Sequence, residues 1–101
     1  MITIERLIQK IYPGKWEALE ELDQKYNAIE SKFGFPPKKR FQSIMGEYDQ
    51  NTLIIERQWE SMAVMEATYE KIMADPEYQA LGKETIGVVK SSRMEAYAPM
   101  P

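Results

Sequence analysis

All four arginines of this chain, Arg6, Arg40, Arg57 and Arg93, fall in segments whose residue alternation predicts β-strand, while the predicted helices use lysine as their only base. A guanidinium is the side chain best suited to gripping a carboxylate, a phosphate or an enolate in a partly dry site. Alternation places Arg6 in one row with Ile2, Ile4 and Ile8, and Arg57 in one row with Leu53, Ile55 and Trp59. If both rows face the helices, Arg6 and Arg57 are neighbours on the two central strands and form an anion-binding pair. The alternative lies one residue away. Glu5, Glu56 and Glu95 adjoin or nearly adjoin three of these arginines, so a slip in register converts the set into cross-strand ion pairs.

A second group is aromatic: Trp16, Tyr26, Trp59, Tyr69 and Tyr78. Of these, Trp59, Tyr26 and Tyr69 are the expected walls of a flat apolar pocket, with core filling as the alternative use. Tyr69 is the candidate catalytic residue, as a proton donor or acceptor. With an ordinary pKa of about 10 it needs a nearby cation such as Arg57 to do that work. Five methionines at 45, 62, 65, 73 and 94 suggest a plastic core, with simple gap filling as the alternative.

The absences narrow the chemistry. The chain contains no histidine and no cysteine, which removes the commonest general base, thiolate metal sites and disulfides. No loop gathers the several oxygens that an all-carboxylate metal site requires. Gly34, Gly46, Gly82 and Gly87 are isolated, so there is no glycine-rich phosphate loop. The expectation is therefore no metal and no cofactor. A net charge of −3 argues against nucleic acid, which needs a basic face. No apolar run reaches the roughly 20 residues of a membrane helix. The first residues lack the layout of a signal peptide, so the expected location is the cytoplasm.

The elements that would position these residues follow from period and punctuation. Residues 2–11 and 52–59 alternate as strands, and residues 39–47 form a strand before the polar turn Tyr48–Asn51. Trp16, Leu19, Leu22, Tyr26, Ile29 and Phe33 recur at helical spacing within 13–33, with Pro13 in the first turn and Gly34 past the end. Ser61 caps a second helix carrying Met62, Met65, Tyr69, Ile72 and Met73. Asp75 and Pro76 stop it and start a third. Residues 88–97 make the last strand. The order is β-α-β-β-α-β over a single domain, 1–101: an α+β, ferredoxin-like four-stranded antiparallel sheet with its helices on one face. Ile4-Glu5-Arg6 recurs as Ile55-Glu56-Arg57, consistent with two related halves. The bare sheet face is large and mixed, and a homodimer that covers it forms an enclosed barrel.

The segment Gln58-Trp59-Glu60-Ser61, the Ala/Met/Glu-rich helix after it, and Asp75-Pro76-Glu77-Tyr78-Gln79 resemble the corresponding stretch of NIPSNAP-like domains of the dimeric α+β barrel superfamily. They are also similar to the small antibiotic-biosynthesis and haem-degrading monooxygenases. The resemblance implies a homodimer. Haem-degrading members place a Trp at the end of the third strand, a His ten residues later and an Asn in the first strand. Here those positions carry Trp59, Tyr69 and Glu5, so haem chemistry is set aside. The expected function is small-molecule binding in a homodimer, with a cofactor-independent monooxygenase-like reaction on an anionic or aromatic substrate as its catalytic form. Arg6, Arg57, Trp59, Tyr26 and Tyr69 are the ligand-binding residues in that reading. The alternative is a non-catalytic NIPSNAP-like interaction module, with no cavity and with every arginine paired.

Overall fold

The first turn of the chain shows how local chemistry sets the architecture. Strand β1 (Thr3–Ile11) ends at Tyr12-Pro13-Gly14-Lys15, where the Lys15 amide donates to the Tyr12 carbonyl at 3.1 Å and Gly14 has φ of 80°. That is a type II turn, with proline supplying its fixed φ and glycine its positive one. Pro13 therefore builds a turn instead of opening the helix, and α1 starts at Trp16 and runs to Lys32 (Trp16–Lys32).

The end of α1 is a Schellman motif. Gly34, at φ 77°, donates to the Ser31 carbonyl, and the Phe35 amide donates to that of Glu30. The chain then enters β2 (Lys38–Gln42) and β3 (Thr52–Trp59). β2 is shorter than its alternation predicts. Residues 43–51 form a loop tied by the Ser43 hydroxyl, which donates to the Tyr48 carbonyl at 2.7 Å, and by the Asn51 amide, which donates to Asp49 Oδ1 at 2.9 Å. Ile44 and Met45 consequently project into solvent.

Ser61 caps α2 (Met62–Met73) by accepting the Val64 amide. Asp75 caps α3 (Pro76–Thr85) by accepting the amides of Glu77 and Tyr78. β4 (Val89–Tyr97) completes the chain, and all 101 residues are described by this computed structural model.

The sheet order is β2-β3-β1-β4 with every neighbouring pair antiparallel, as the βαββαβ reading expects. The core packs between sheet and helices: Ile11, Leu53 and Ile55 from the sheet meet Leu19, Leu22 and Ile29 of α1, Ile72 of α2 and Leu81 of α3. The methionine expectation fails. Only Met65 is buried, because α2 turns Met65, Tyr69 and Ile72 inward and leaves Met62 and Met73 outside. No helix is long and apolar enough to cross a membrane.

The register corrects one row of β1. The side toward the helices carries Thr3, Glu5, Leu7 and Gln9; Arg6 lies on the other side with Ile4 and Ile8. Apolar Ile4 and Ile8 suggested the reverse parity, but Leu7 and Ile11 join the core and Glu5 is the charged residue that is buried. Arg6 therefore does not neighbour Arg57 in the helix-facing layer. Its Cα partner is Glu56, and Arg57 faces Glu5.

Candidate functional site

The site is built around one buried carboxylate. Glu5, 1% exposed, accepts a hydrogen bond from Trp59 Nε1 at 2.9 Å and another from the Tyr69 hydroxyl. Arg57 Nη1 lies 3.7 Å from the same carboxylate, and Arg57 Nη2 pairs with Glu30 Oε1 at 2.8 Å. Three elements thus converge on β1: the end of β3 brings Trp59 and Arg57, the second turn of α2 brings Tyr69, and the last turns of α1 bring Glu30. The Schellman turn at Gly34 delivers Phe35 to the same place. Its ring packs edge-on against Trp59 and Tyr69 at 5.2 and 5.0 Å, and the Arg57 guanidinium lies 5.1 Å from its centroid.

The charges continue outward as an alternating chain. Glu30 also faces Lys38 Nζ at 3.4 Å, Lys38 bonds Asp23 at 2.6 Å, Arg40 lies 3.7 Å from Asp23, and Arg40 pairs with Glu20 at 2.6 Å. α1 supplies the three outer acids and the strands supply the bases. A buried ion is expensive to desolvate and is tolerated when each neighbour carries the opposite sign.

Beside this network lies a cavity of about 640 Å³ between sheet and helices. Eleven of its 20 lining residues are hydrophobic, among them Leu7, Leu19, Leu22, Leu53 and Ile55, so its walls are mainly apolar. Arg57, Tyr26, Tyr69 and Tyr78 also line it. Tyr26 is held by Thr85 Oγ1 at 2.7 Å and by an edge-on contact with Tyr78 at 5.7 Å.

The structure therefore brings Arg57, Tyr26 and Tyr69 to one cavity and leaves Arg6 and Trp59 outside it. Arg6 pairs with Glu56 at 2.8 Å on the opposite sheet face, with its guanidinium 5.3 Å from the Tyr97 ring. Trp59 is sealed behind Phe35 and Tyr69. All four arginines have carboxylate partners, as Arg93 pairs with Glu95 at 3.2 Å. The cation expected to ease ionisation of Tyr69 does not prevail. Burial and then the charge of Glu5 push the Tyr69 hydroxyl well above its ordinary value, and Arg57 opposes them more weakly. Burial also pushes Tyr26 and Tyr78 up.

Glu5, Glu30, Phe35 and Lys38 escaped the reading of the sequence as site residues. For Glu5 one signal existed: it falls at the first-strand position best matching the Asn of the haem-degrading enzymes that the sequence resembles. For Glu30 and Lys38, which sit among many similar surface charges, there was none. The acidic residues do not form a group of three or more placed to hold a metal ion.

No protein-family model and no curated protein sequence matches the chain. Solved structures do. A NIPSNAP family protein of Agrobacterium tumefaciens superposes with a TM-score of 0.84 at 20% identity, over 99% of this chain and 94% of that one. An uncharacterized NIPSNAP-like domain protein of Burkholderia xenovorans gives 0.84 at 16% identity, over 98% and 85%. A second Agrobacterium NIPSNAP family protein, of unknown function, gives 0.79 at 15% identity, over 97% and 87%. At these identities the likeness shows the fold, and fold alone carries no activity.

Proposed function

We propose that this chain, which has the fold of the NIPSNAP structures, is a homodimeric small-molecule-binding protein whose ligand is flat, mainly apolar and uncharged. The observation that carries the reading is the cavity between sheet and helices. Its volume of about 640 Å³ falls within the ~300–1,000 Å³ of ordinary ligand pockets, and its walls are apolar with a few polar groups among them. An anionic ligand is disfavoured. Arg57 already faces Glu5 and Glu30, and four carboxylates, those of Asp23, Glu30, Glu66 and Glu70, line the cavity against two bases, Lys38 and Arg57. Paired arginines are also what a non-catalytic module would carry; the cavity is what it would lack.

The dimer rests on the opposite sheet face. Ile4, Ile8, Ile54, Phe41 and Tyr97 share it with the Arg6–Glu56 and Arg93–Glu95 pairs, and Phe41 and Tyr97 are 48% and 44% exposed. A second copy on that face would bury the aromatic rings while the ion pairs keep their partners. In the catalytic form of the reading, a cofactor-independent oxygenase, an activated aromatic substrate would need little beyond binding and deprotonation.

A thermal-shift screen of neutral and anionic bicyclic aromatics tests the binding reading. A neutral ligand at 100 times its Kd adds about 2.7 kcal/mol of stability. Silence across the neutral compounds, or a response to the anions alone, contradicts the reading. Sedimentation velocity tests the dimer, and a single-chain species at tens of micromolar rules it out.

A further inference from the structure

The Glu5 carboxylate gives one oxygen to Trp59 and the other to Tyr69. Glutamine at this position keeps a single acceptor oxygen for one of the two and carries no charge to face Arg57. Nor can glutamine take up a proton. Of the two groups that donate hydrogen bonds to Glu5, Trp59 is closed off and Tyr69 lines the cavity. Anything in the cavity that exchanges a proton with Glu5 does so through the Tyr69 hydroxyl.

We propose that Tyr69 and Glu5 form a proton relay that ionises a weakly acidic, neutral ligand in the cavity, a phenol or an enolisable ketone. The inference rests on the cavity being a ligand site. In the step, the acidic O–H or C–H bond of the ligand breaks and leaves its electron pair on the ligand. That proton bonds to the Tyr69 oxygen as the Tyr69 proton passes to Glu5 Oε2. Tyr69 ends as it began, Glu5 becomes a carboxylic acid, and the ligand becomes a phenolate or enolate. The total charge of the site is unchanged. Arg57 faces the negative charge in both places, because it lies 3.7 Å from Glu5 and also lines the cavity. Its Nε–H has no partner, so the guanidinium keeps a donor in reserve. Burial and the Glu5 charge hold Tyr69 protonated at rest, which suits a carrier of protons and not a standing phenolate.

Tyr69 is the catalytic residue in this scheme. Glu5 acts through it, so its test must separate rate from binding. The probe is 2-tetralone, a flat neutral ketone. Its α-proton exchange in D₂O is followed by NMR and its Kd by isothermal titration. The expected result is exchange accelerated about 100-fold or more over buffer by the wild-type chain, the usual scale for positioned acid–base groups. Tyr69→Phe and Glu5→Gln each return the rate to within about threefold of buffer while Kd moves by less than about threefold, since these groups act on the proton and not on ring burial. Should Glu5→Gln fail to fold, Tyr69→Phe decides alone, because its ring keeps the packing on Phe35 and Trp59. Binding without acceleration overturns the relay and leaves the binding reading standing, as does undiminished exchange in either variant. Absence of binding overturns both.

Discussion

Glu5 and Arg57 lie directly opposite each other on β1 and β3, both buried, with carboxylate and guanidinium 3.7 Å apart. The next pair along, Arg6 and Glu56, repeats the arrangement on the outer face. Two Glu-Arg dipeptides on antiparallel neighbours therefore generate reciprocal ion pairs, one on each side of the sheet. The inner one is sealed and anchors the candidate site. The outer one is partly exposed and is worth at most about 1 kcal/mol.

Truncating the inner pair should cost much more than truncating the outer one. Glu5→Ala leaves Arg57 with Glu30 alone and strips Trp59 and Tyr69 of their acceptor, an expected loss of about 3–5 kcal/mol. In the single chain, where the outer pair is partly exposed, Glu56→Ala should cost less than about 1 kcal/mol. Equal losses in urea denaturation would refute the assignment of faces.

Trp59 is 3% exposed and bonded to Glu5, so Trp59→Ala should cost about 3–5 kcal/mol through the cavity it leaves. A change below about 1 kcal/mol would contradict its burial.

Two glycines should respond in opposite directions. Gly34, at φ 77°, closes α1 and sends Phe35 into the site, so Gly34→Ala should destabilise by about 1–2 kcal/mol. Gly82 lies inside α3 with open space for a methyl group, so Gly82→Ala should stabilise by about 0.5–1 kcal/mol. Thermal denaturation of the two variants reads both signs.

High pH should weaken the fold through its buried tyrosines. Tyr69 binds its proton more tightly folded than unfolded, because of burial first and the Glu5 charge second. Its contribution is complete below the unfolded value near 10 and is lost as pH rises above that. There the unfolded chain carries fewer protons, and stability falls by up to about 1.4 kcal/mol per pH unit from this group. Tyr26 and Tyr78 act with the same sign. Denaturation midpoints between pH 8 and 11 should fall more gently in Tyr69→Phe; identical profiles would contradict the placement of Tyr69.

The order of elements was legible because period and punctuation agree locally: Ser61 and Asp75 cap the helices expected of them, and Leu53, Ile55, Arg57 and Trp59 hold one face. The site was half legible. Arg57, Tyr26 and Tyr69 were identifiable by type, but Arg6 was assigned to the wrong face. Strand parity there depends on whether Ile4 and Ile8 or Leu7 and Ile11 meet the helices, and composition weighs the two nearly equally. Glu5 was hidden because a charged residue in a strand ordinarily reads as solvated. Its burial depends on Trp59, Tyr69 and Arg57, which are more than 50 residues away along the chain.

Isothermal titration of 2-naphthol into the wild-type chain and into Leu7→Trp tests the central claim most directly, since Leu7 lines the cavity and a tryptophan there narrows it. The cavity account predicts one saturable site per wild-type chain and weaker binding in the narrowed variant. Binding of equal strength in both, or in neither, contradicts it.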